Sequence, residues 1–350
     1  MKGWMGKFKV LSLLGFVALF LSACGKENLT ALDPKGYGAE KSLDLILLPT
    51  VIMLFVLLIV MVIFVIALVR FRKKKGQEDY IPKQVEGNKT LETVWTVIPI
   101  LLIIVLAVPT VYYTFDLADE TEASDSLNVN VTGNQYWWHF DYEGQEIQTS
   151  EDLYIPVGQK VYLNMLSSDV VHSLWVPSLS GKMDVNPENE NTLFIEAYEE
   201  GVYWGKCAEL CGPSHSLMDF KIVVVSQEEF DQWVADMQNF DPQVVPEDQA
   251  AAQGRELFEE NNCIACHAIG SSPVQAGPNL TNFGAREKLA GVEDLTKENI
   301  IEWLLNPESI KPGNNMTGNY PQLNEEDAAL IADYLLQLNP SEITPDDAGN

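Results

Sequence analysis

Two uncharged apolar runs flanking a basic cluster set the first constraint on this 350-residue chain. Residues 45–69 and 93–115 contain no Asp, Glu, Lys or Arg. As helices rising about 1.5 Å per residue, both are long enough to cross a hydrocarbon core about 30 Å thick. Pro99 and Pro109 in the second run would break a soluble helix, but they are tolerated where neighbouring helices re-satisfy the freed carbonyls. Between the runs, Arg70-Phe71-Arg72-Lys73-Lys74-Lys75 assigns the loop 70–92 to the cytoplasm, so both ends of the hairpin emerge on the outer side. From residue 116 onward the chain must fold in water, and there it carries 42 acidic against 9 basic side chains. That balance excludes nucleic acid as a partner. It suits solubility in an alkaline or salty exterior, or docking of a basic protein.

The first 23 residues read as a targeting signal. Lys2, Lys7 and Lys9 precede an apolar run from Val10 to Phe20, followed by Leu21-Ser22-Ala23-Cys24. This resembles a bacterial lipoprotein signal, which implies cleavage before Cys24, lipidation of its sulfur and an extracellular segment 24–44. A lipid on Cys24 agrees with the orientation set by the basic loop.

The densest chemistry lies in Cys207-Ala208-Glu209-Leu210-Cys211-Gly212-Pro213-Ser214-His215-Ser216-Leu217-Met218. Two thiols, an imidazole and a thioether are ligands for a soft transition metal, copper foremost. A single copper does not need both cysteines, so the loop reads as two coppers bridged by two sulfurs. Each copper then wants its own imidazole, and His172 supplies the second. A Cys207/Cys211 disulfide, permitted in an exported domain, would leave His215 and Met218 unexplained. Short apolar stretches at 127–131, 160–165, 192–195 and 220–225 predict strands of a β-sandwich or Greek-key barrel. The loops at one end of such a fold can bring His172 to Cys207.

A second cofactor is announced by Cys263-Ile264-Ala265-Cys266-His267, the spacing for covalent c-type haem attachment with histidine beneath the iron. Downstream, Met316 is the single methionine and no histidine follows, so Met316 is the candidate for the sixth ligand. Helices are expected over 252–260, 298–305 and 325–338, with a polar linker at 241–250, a haem domain at 251–340 and a tail at 341–350.

With its copper loop, two spans and haem motif, the chain resembles subunit II of the haem-copper cytochrome c oxidases, and its fused haem domain resembles the caa type. The resemblance implies a two-helix membrane hairpin, a cupredoxin-like barrel over 120–240 and an all-α class I cytochrome c domain. It implies a binuclear CuA centre on His172, Cys207, Cys211 and His215, with Met218 and the Glu209 carbonyl as weak outer ligands. It implies magnesium at the Glu209 side chain on the boundary with subunit I, and proton uptake near Glu92. Subunits I and III are the implied partners, with cytochrome c or a quinol:cytochrome c reductase as donor. Electrons would pass from haem c to CuA and on to subunit I, where a proton-pumping oxidase of the plasma membrane reduces oxygen. Tyr136, Trp137 and Trp138 match the family's aromatic segment beside CuA. The family usually has tryptophan at the position of Tyr136, which puts direct electron uptake from a soluble donor in doubt. Two other readings share the copper loop: a nitric oxide reductase subunit, and a free-standing tethered carrier. Quinol oxidase subunits are excluded while the copper ligands stand.

Residues 120–240, loaded with copper, are expected to give a mixed-valence spin-resonance signal, and a four-line single-copper spectrum would contradict the bridged pair. Acid–acetone is expected to leave haem on the chain, and Met316→Ala to lower its reduction potential.

Overall fold

The structure, a computed structural model, describes residues 16, 28–72, 84, 86–271 and 276–345. Cys24 and the basic residues Lys73, Lys74 and Lys75 lie outside the described residues.

Helix α1 spans Tyr37–Arg70 and α2 spans Lys89–Asp116, both longer than the apolar runs they contain. Hydropathy marks what faces lipid, whereas the helix ends are set by local hydrogen bonding. Asn88 caps α2 by accepting from the amides of Thr90 and Leu91, which draws Glu92 into its first turn. The first turn of α1 packs against protein: the Ala39 amide donates to the Leu179 carbonyl at 3.1 Å. At Gly38 a Cβ would lie 2.5 Å from Ser180 Oγ and 3.2 Å from Ser180 Cα, so glycine eases this close approach. Tyr37 donates to the Asp116 carboxylate at 2.6 Å and joins the outer ends of the two helices. Along their length Leu58, Phe64 and Ile103 are exposed, a surface suited to lipid or to neighbouring helices.

The middle domain is a two-sheet β-barrel. Its strands are β1 (Leu127–Asn134), β2 (Trp137–Tyr142), β3 (Ile147–Ser150), β4 (Asp152–Pro156), β5 (Lys160–Ser167), β6 (His172–Trp175), β7 (Lys182–Val185), β8 (Asn191–Glu196), β9 (Gly201–Cys207) and β10 (Asp219–Val225). One sheet has the order β3-β2-β1-β5-β8 and the other β4-β10-β9-β6-β7. β1 pairs in parallel with β5, and β4 with β10, while the other pairs are antiparallel. Between β1 and its parallel partner β5 the chain crosses to the other sheet at β4 and back, as in a Greek key. The core between the sheets is rich in aromatic rings, including Trp138, Phe140, Tyr142 and Phe220.

Every position of β10 is buried, unlike an ordinary surface strand, because its outer side is covered as well. Part of the barrel's cover is α3 (Gln227–Asn239), a helix not anticipated from the sequence. Its signature is legible at Ser226-Gln227-Glu228-Glu229, a capping box in which Ser226 and Glu229 satisfy each other's backbone amides. The helix buries Phe230, Trp233 and Met237, and Trp233 stacks on Tyr154 at 4.7 Å between centroids.

The last domain contains α4 (Gln249–Glu260), α5 (Lys297–Leu305), the single turn α6 (Pro307–Ile310) and α7 (Glu325–Leu336). Ile331, Tyr334 and Leu335 on α7 point into its core. Helices α4 and α7 meet at Gly254, where a Cβ would fall 1.9 Å from the Leu330 carbonyl oxygen. That neighbour is backbone and cannot swing aside. Gly254→Ala is therefore expected to destabilise the haem domain by about 1–3 kcal/mol, read as a lower Tm of its visible absorbance.

Candidate copper centre and haem cavity

The candidate copper ligands meet because β6 opens with His172 beside β9, which closes with Cys207; Leu174 and Cys207 are register partners. The β9–β10 loop then folds back over them. Cys207 Sγ and Cys211 Sγ lie 3.8 Å apart. A disulfide is about 2.05 Å long, so these are two free thiols facing one another. His172 Nδ1 lies 3.9 Å from Cys207 Sγ, and His215 Nδ1 lies 3.7 Å from Cys211 Sγ. Each sulfur thus has its own imidazole. Met218 Sδ stands 3.9 Å from Cys211 Sγ, and the Glu209 carbonyl oxygen 3.3 Å from Cys207 Sγ. All six expected donors converge, and the set fits two soft ions bridged by sulfur.

Burial pushes both thiols up in pKa. At Cys207 this is outweighed by hydrogen bonding with His172, with the backbone at Ser173 and Glu209, and with His215, which brings it down to about 6. At Cys211 burial and the neighbouring Cys207 charge act together, pushing it up to about 12. Cys207 is therefore the readier of the two to ionise, and a bound metal would displace the proton from Cys211.

Three supporting residues were not anticipated. Asp169 accepts from His172 Nε2 at 2.8 Å and from the Gln135 amide at 2.7 Å, fixing the imidazole with Nδ1 toward the sulfurs. A carboxylate three residues before a candidate ligand histidine is the signal that would have revealed it. Gln135 donates its side-chain amide to the Cys211 carbonyl at 2.6 Å. Gly133 makes room for the ring, since a Cβ there would lie 2.9 Å from His172 Cδ2.

The haem motif lies just after α4. There Cys263, Cys266 and His267 line a cavity of about 770 Å³, with Met316 also in its wall. His267 Nδ1 donates to the Pro278 carbonyl at 2.9 Å, leaving Nε2 as the ring's free nitrogen for a metal. Phe258, Trp303 and Leu304 supply an apolar wall. The Met316 amide is held by Asn314 Oδ1 at 2.9 Å. The cavity, its two thiols and its imidazole fit a covalently attached haem. Its remaining wall comes from the other domain: Gln135, Tyr136, Trp137 and Glu151 reach it from the barrel.

The family profile described as cytochrome c oxidase subunit II, periplasmic domain, matches residues 143–226, and its transmembrane-domain profile matches residues 39–112. The cytochrome c profile matches residues 251–339. Cytochrome c oxidase subunit 2 of Bacillus subtilis is 47% identical over 95% of this chain and 98% of its own length. The chain belongs to the cytochrome c oxidase subunit II family. The subunit 2 of Alkalihalophilus pseudofirmus is also 47% identical, over 98% of this chain and all of its own. Quinol oxidase subunit 2 of Bacillus spizizenii is 37% identical, but over only 68% of this chain and 76% of its own length. This oxidase subunit II is membrane-anchored and works as part of an oxidoreductase complex, in which electrons enter through it. Its family carries CuA copper, its fused domain carries haem c, and the nitric oxide reductase and free-carrier readings are not favoured.

Asp169→Ala should leave the barrel folded but release the His172 ring, lowering copper affinity by about 10–100-fold in competition titrations with a chelator.

Proposed function

We propose that Cys263 and Cys266 hold one haem c covalently, with His267 and Met316 as axial ligands. We propose also that His172, Cys207, Cys211, His215, Met218 and the Glu209 carbonyl hold binuclear CuA. When bound, these groups supply the redox chemistry, one electron at a time. The chain's own part is to hold both pockets at fixed separation, keep water out and lock the ligand rings in place.

One observation carries the reading: Tyr136 lies between the two ligand loops. It lines the haem cavity. Its hydroxyl is 2.5 Å from where a Cβ on Gly212 of the copper loop would sit, and 3.6 Å from where one on Gly313 of the Met316 loop would sit. The next residues divide the work by strand alternation. Trp137 faces the haem cavity, whereas Trp138 packs edge-on against the His172 ring at 6.0 Å. Residues 136–138 therefore touch both sites and offer a short path through protein. Tyr136 is buried between the domains, so tryptophan's role as a docking surface for a soluble donor is not needed there.

The finer partners follow from the same reading. An external cytochrome c or a quinol:cytochrome c reductase reduces haem c, and CuA passes electrons to subunit I of a proton-pumping oxidase, with subunit III alongside. Around the copper loop Leu166, Val170, Val171 and Leu210 are exposed, an apolar rim suited to docking on subunit I. Glu209 is exposed beside that rim, as a side chain shared with magnesium at a subunit boundary must be. Glu92 lies exposed at the cytoplasmic end of α2, where it serves proton uptake by subunit I. Lipid on Cys24 adds a third hold on the plasma membrane.

Tyr136→Ala in the intact oxidase should slow electron transfer from haem c to CuA by on the order of tenfold, about 1.4 kcal/mol of barrier. Flash-induced kinetics measure the rate, with the copper and haem spectra as controls. An unchanged rate with intact spectra would move the path elsewhere.

A further inference from the structure

Glu151 is the one residue between β3 and β4, which belong to different sheets, so it sits where the chain crosses the barrel. Its φ is +69°, a left-handed conformation that favours glycine. A glutamate there is conspicuous. Its side chain lines the haem cavity, it is 4% exposed, and its Oε2 has no hydrogen-bond partner. Its backbone is tied on both sides, the amide to the Trp138 carbonyl at 3.0 Å and the carbonyl to the Lys221 amide at 2.9 Å. The main chain at Glu151 is therefore fixed to the barrel, with its side chain at the cavity wall.

The charged groups around it come from every neighbouring element. Asp152 follows it in sequence, Asp219 and Lys221 belong to β10, and Arg286, Glu287 and Lys311 come from the haem domain. Lys311 and Arg286 line the same cavity. Neither is paired with Glu151: Lys311 Nζ donates to the Ala290 carbonyl at 2.7 Å, and Arg286 to the Asn279 carbonyl. Lys221 pairs with Glu287 at 2.5 Å and stands 4.0 Å from Asp152. Burial, only partly opposed by Lys311 and Arg286, pushes the Glu151 carboxyl up to about 7.

We propose that Glu151, a residue of the copper domain, is the proton site linked to reduction in the haem cavity, a role that rests on reading the cavity as the haem c site. When the upstream donor delivers one electron to the iron, the cavity loses one positive charge. The Glu151 carboxylate then takes one proton from water, and it returns that proton when the electron moves on to copper. The sign follows. Ferric iron favours the carboxylate and ferrous iron favours the acid, so the Glu151 pKa is lower in the oxidised state. Between the two pKa values the haem potential falls as pH rises. The limit is a tenfold change in the oxidation equilibrium per pH unit, or 59 mV for a one-electron couple.

The test is potentiometric titration of haem c in the full-length subunit between about pH 5.5 and 8.5, alongside reduced-minus-oxidised infrared spectra. The parent should show a falling potential and a protonated-carboxyl band gained on reduction. Glu151→Gln should flatten the potential and remove the band, while Lys311→Met should move the fall to higher pH by removing a cation that favours the carboxylate. If Glu151→Gln fails to assemble, Lys311→Met alone decides, because an unmoved fall overturns the proposal. Equal pH dependence in Glu151→Gln and parent also overturns it, assigning the proton to haem carboxylates or other groups. Covalent haem absorbance, measured first, separates that outcome from a failure of the haem assignment itself.

Discussion

A hydrogen bond 2.6 Å long, from Ser214 of the Cys207–Met218 loop to the Pro312 carbonyl of the Met316 loop, ties together the segments that carry the proposed ligands. The arrangement depends on that junction, because electron transfer needs both pockets at a constant separation. Three more contacts secure it. The Asn279 amide donates to Ser150 Oγ at 3.0 Å, Asn315 to the Gln135 carbonyl at 3.4 Å, and Lys221 pairs with Glu287. The Lys221 side chain is only 2% exposed. Glu287 is 37% exposed, so this is a half-buried pair in which lost hydration offsets much of the attraction, and it fixes register more than it strengthens the contact. These contacts seat the haem domain against the barrel in one orientation.

Seating one domain on the other also explains why β10 lacks a wet face. A strand that reads Asp219-Phe220-Lys221-Ile222-Val223-Val224-Val225 would normally send Lys221 to solvent. Here the lysine is enclosed between its own barrel and Glu287 of the neighbouring domain. The strand's polar residues have become parts of an internal interface. The acidic exterior is correspondingly free to serve solubility, since the haem domain is held by covalent attachment and by few, specific charges.

How much of this was legible in the sequence depends on how far apart the cooperating residues lie. Cys207, Cys211, His215 and Met218 share one loop, and Cys263, Cys266 and His267 share one turn, so each candidate set could be picked out directly. His172 was readable because its class of fold was. Asp169 was missed although it is a near neighbour of His172, because a lone carboxylate in a polar turn carries no periodicity. Glu151 was unreadable for a different reason: the wall it completes is built by residues such as Lys311, and no local pattern links the two. The helix α3 was missed despite its capping box, and α1 was drawn too short because apolarity reports the lipid-facing stretch and not the helix. Of these misses, Glu151 is the one whose missing information was a contact between domains.

That longer helix has a mechanical meaning. The segment before α1 runs along the barrel: the Lys35 amide donates to the Ser178 carbonyl at 2.7 Å, Gly36 bridges to Ala197, and the helix starts at once at Tyr37. Asp116, at the other end of the hairpin, is bonded to Tyr37. The barrel therefore stands on the membrane hairpin as on a stiff post, not on a tether. A post holds the copper loop at one height above the bilayer. Its acceptor in a neighbouring membrane subunit can then be reached by sideways packing of helices alone, with no search in the vertical direction.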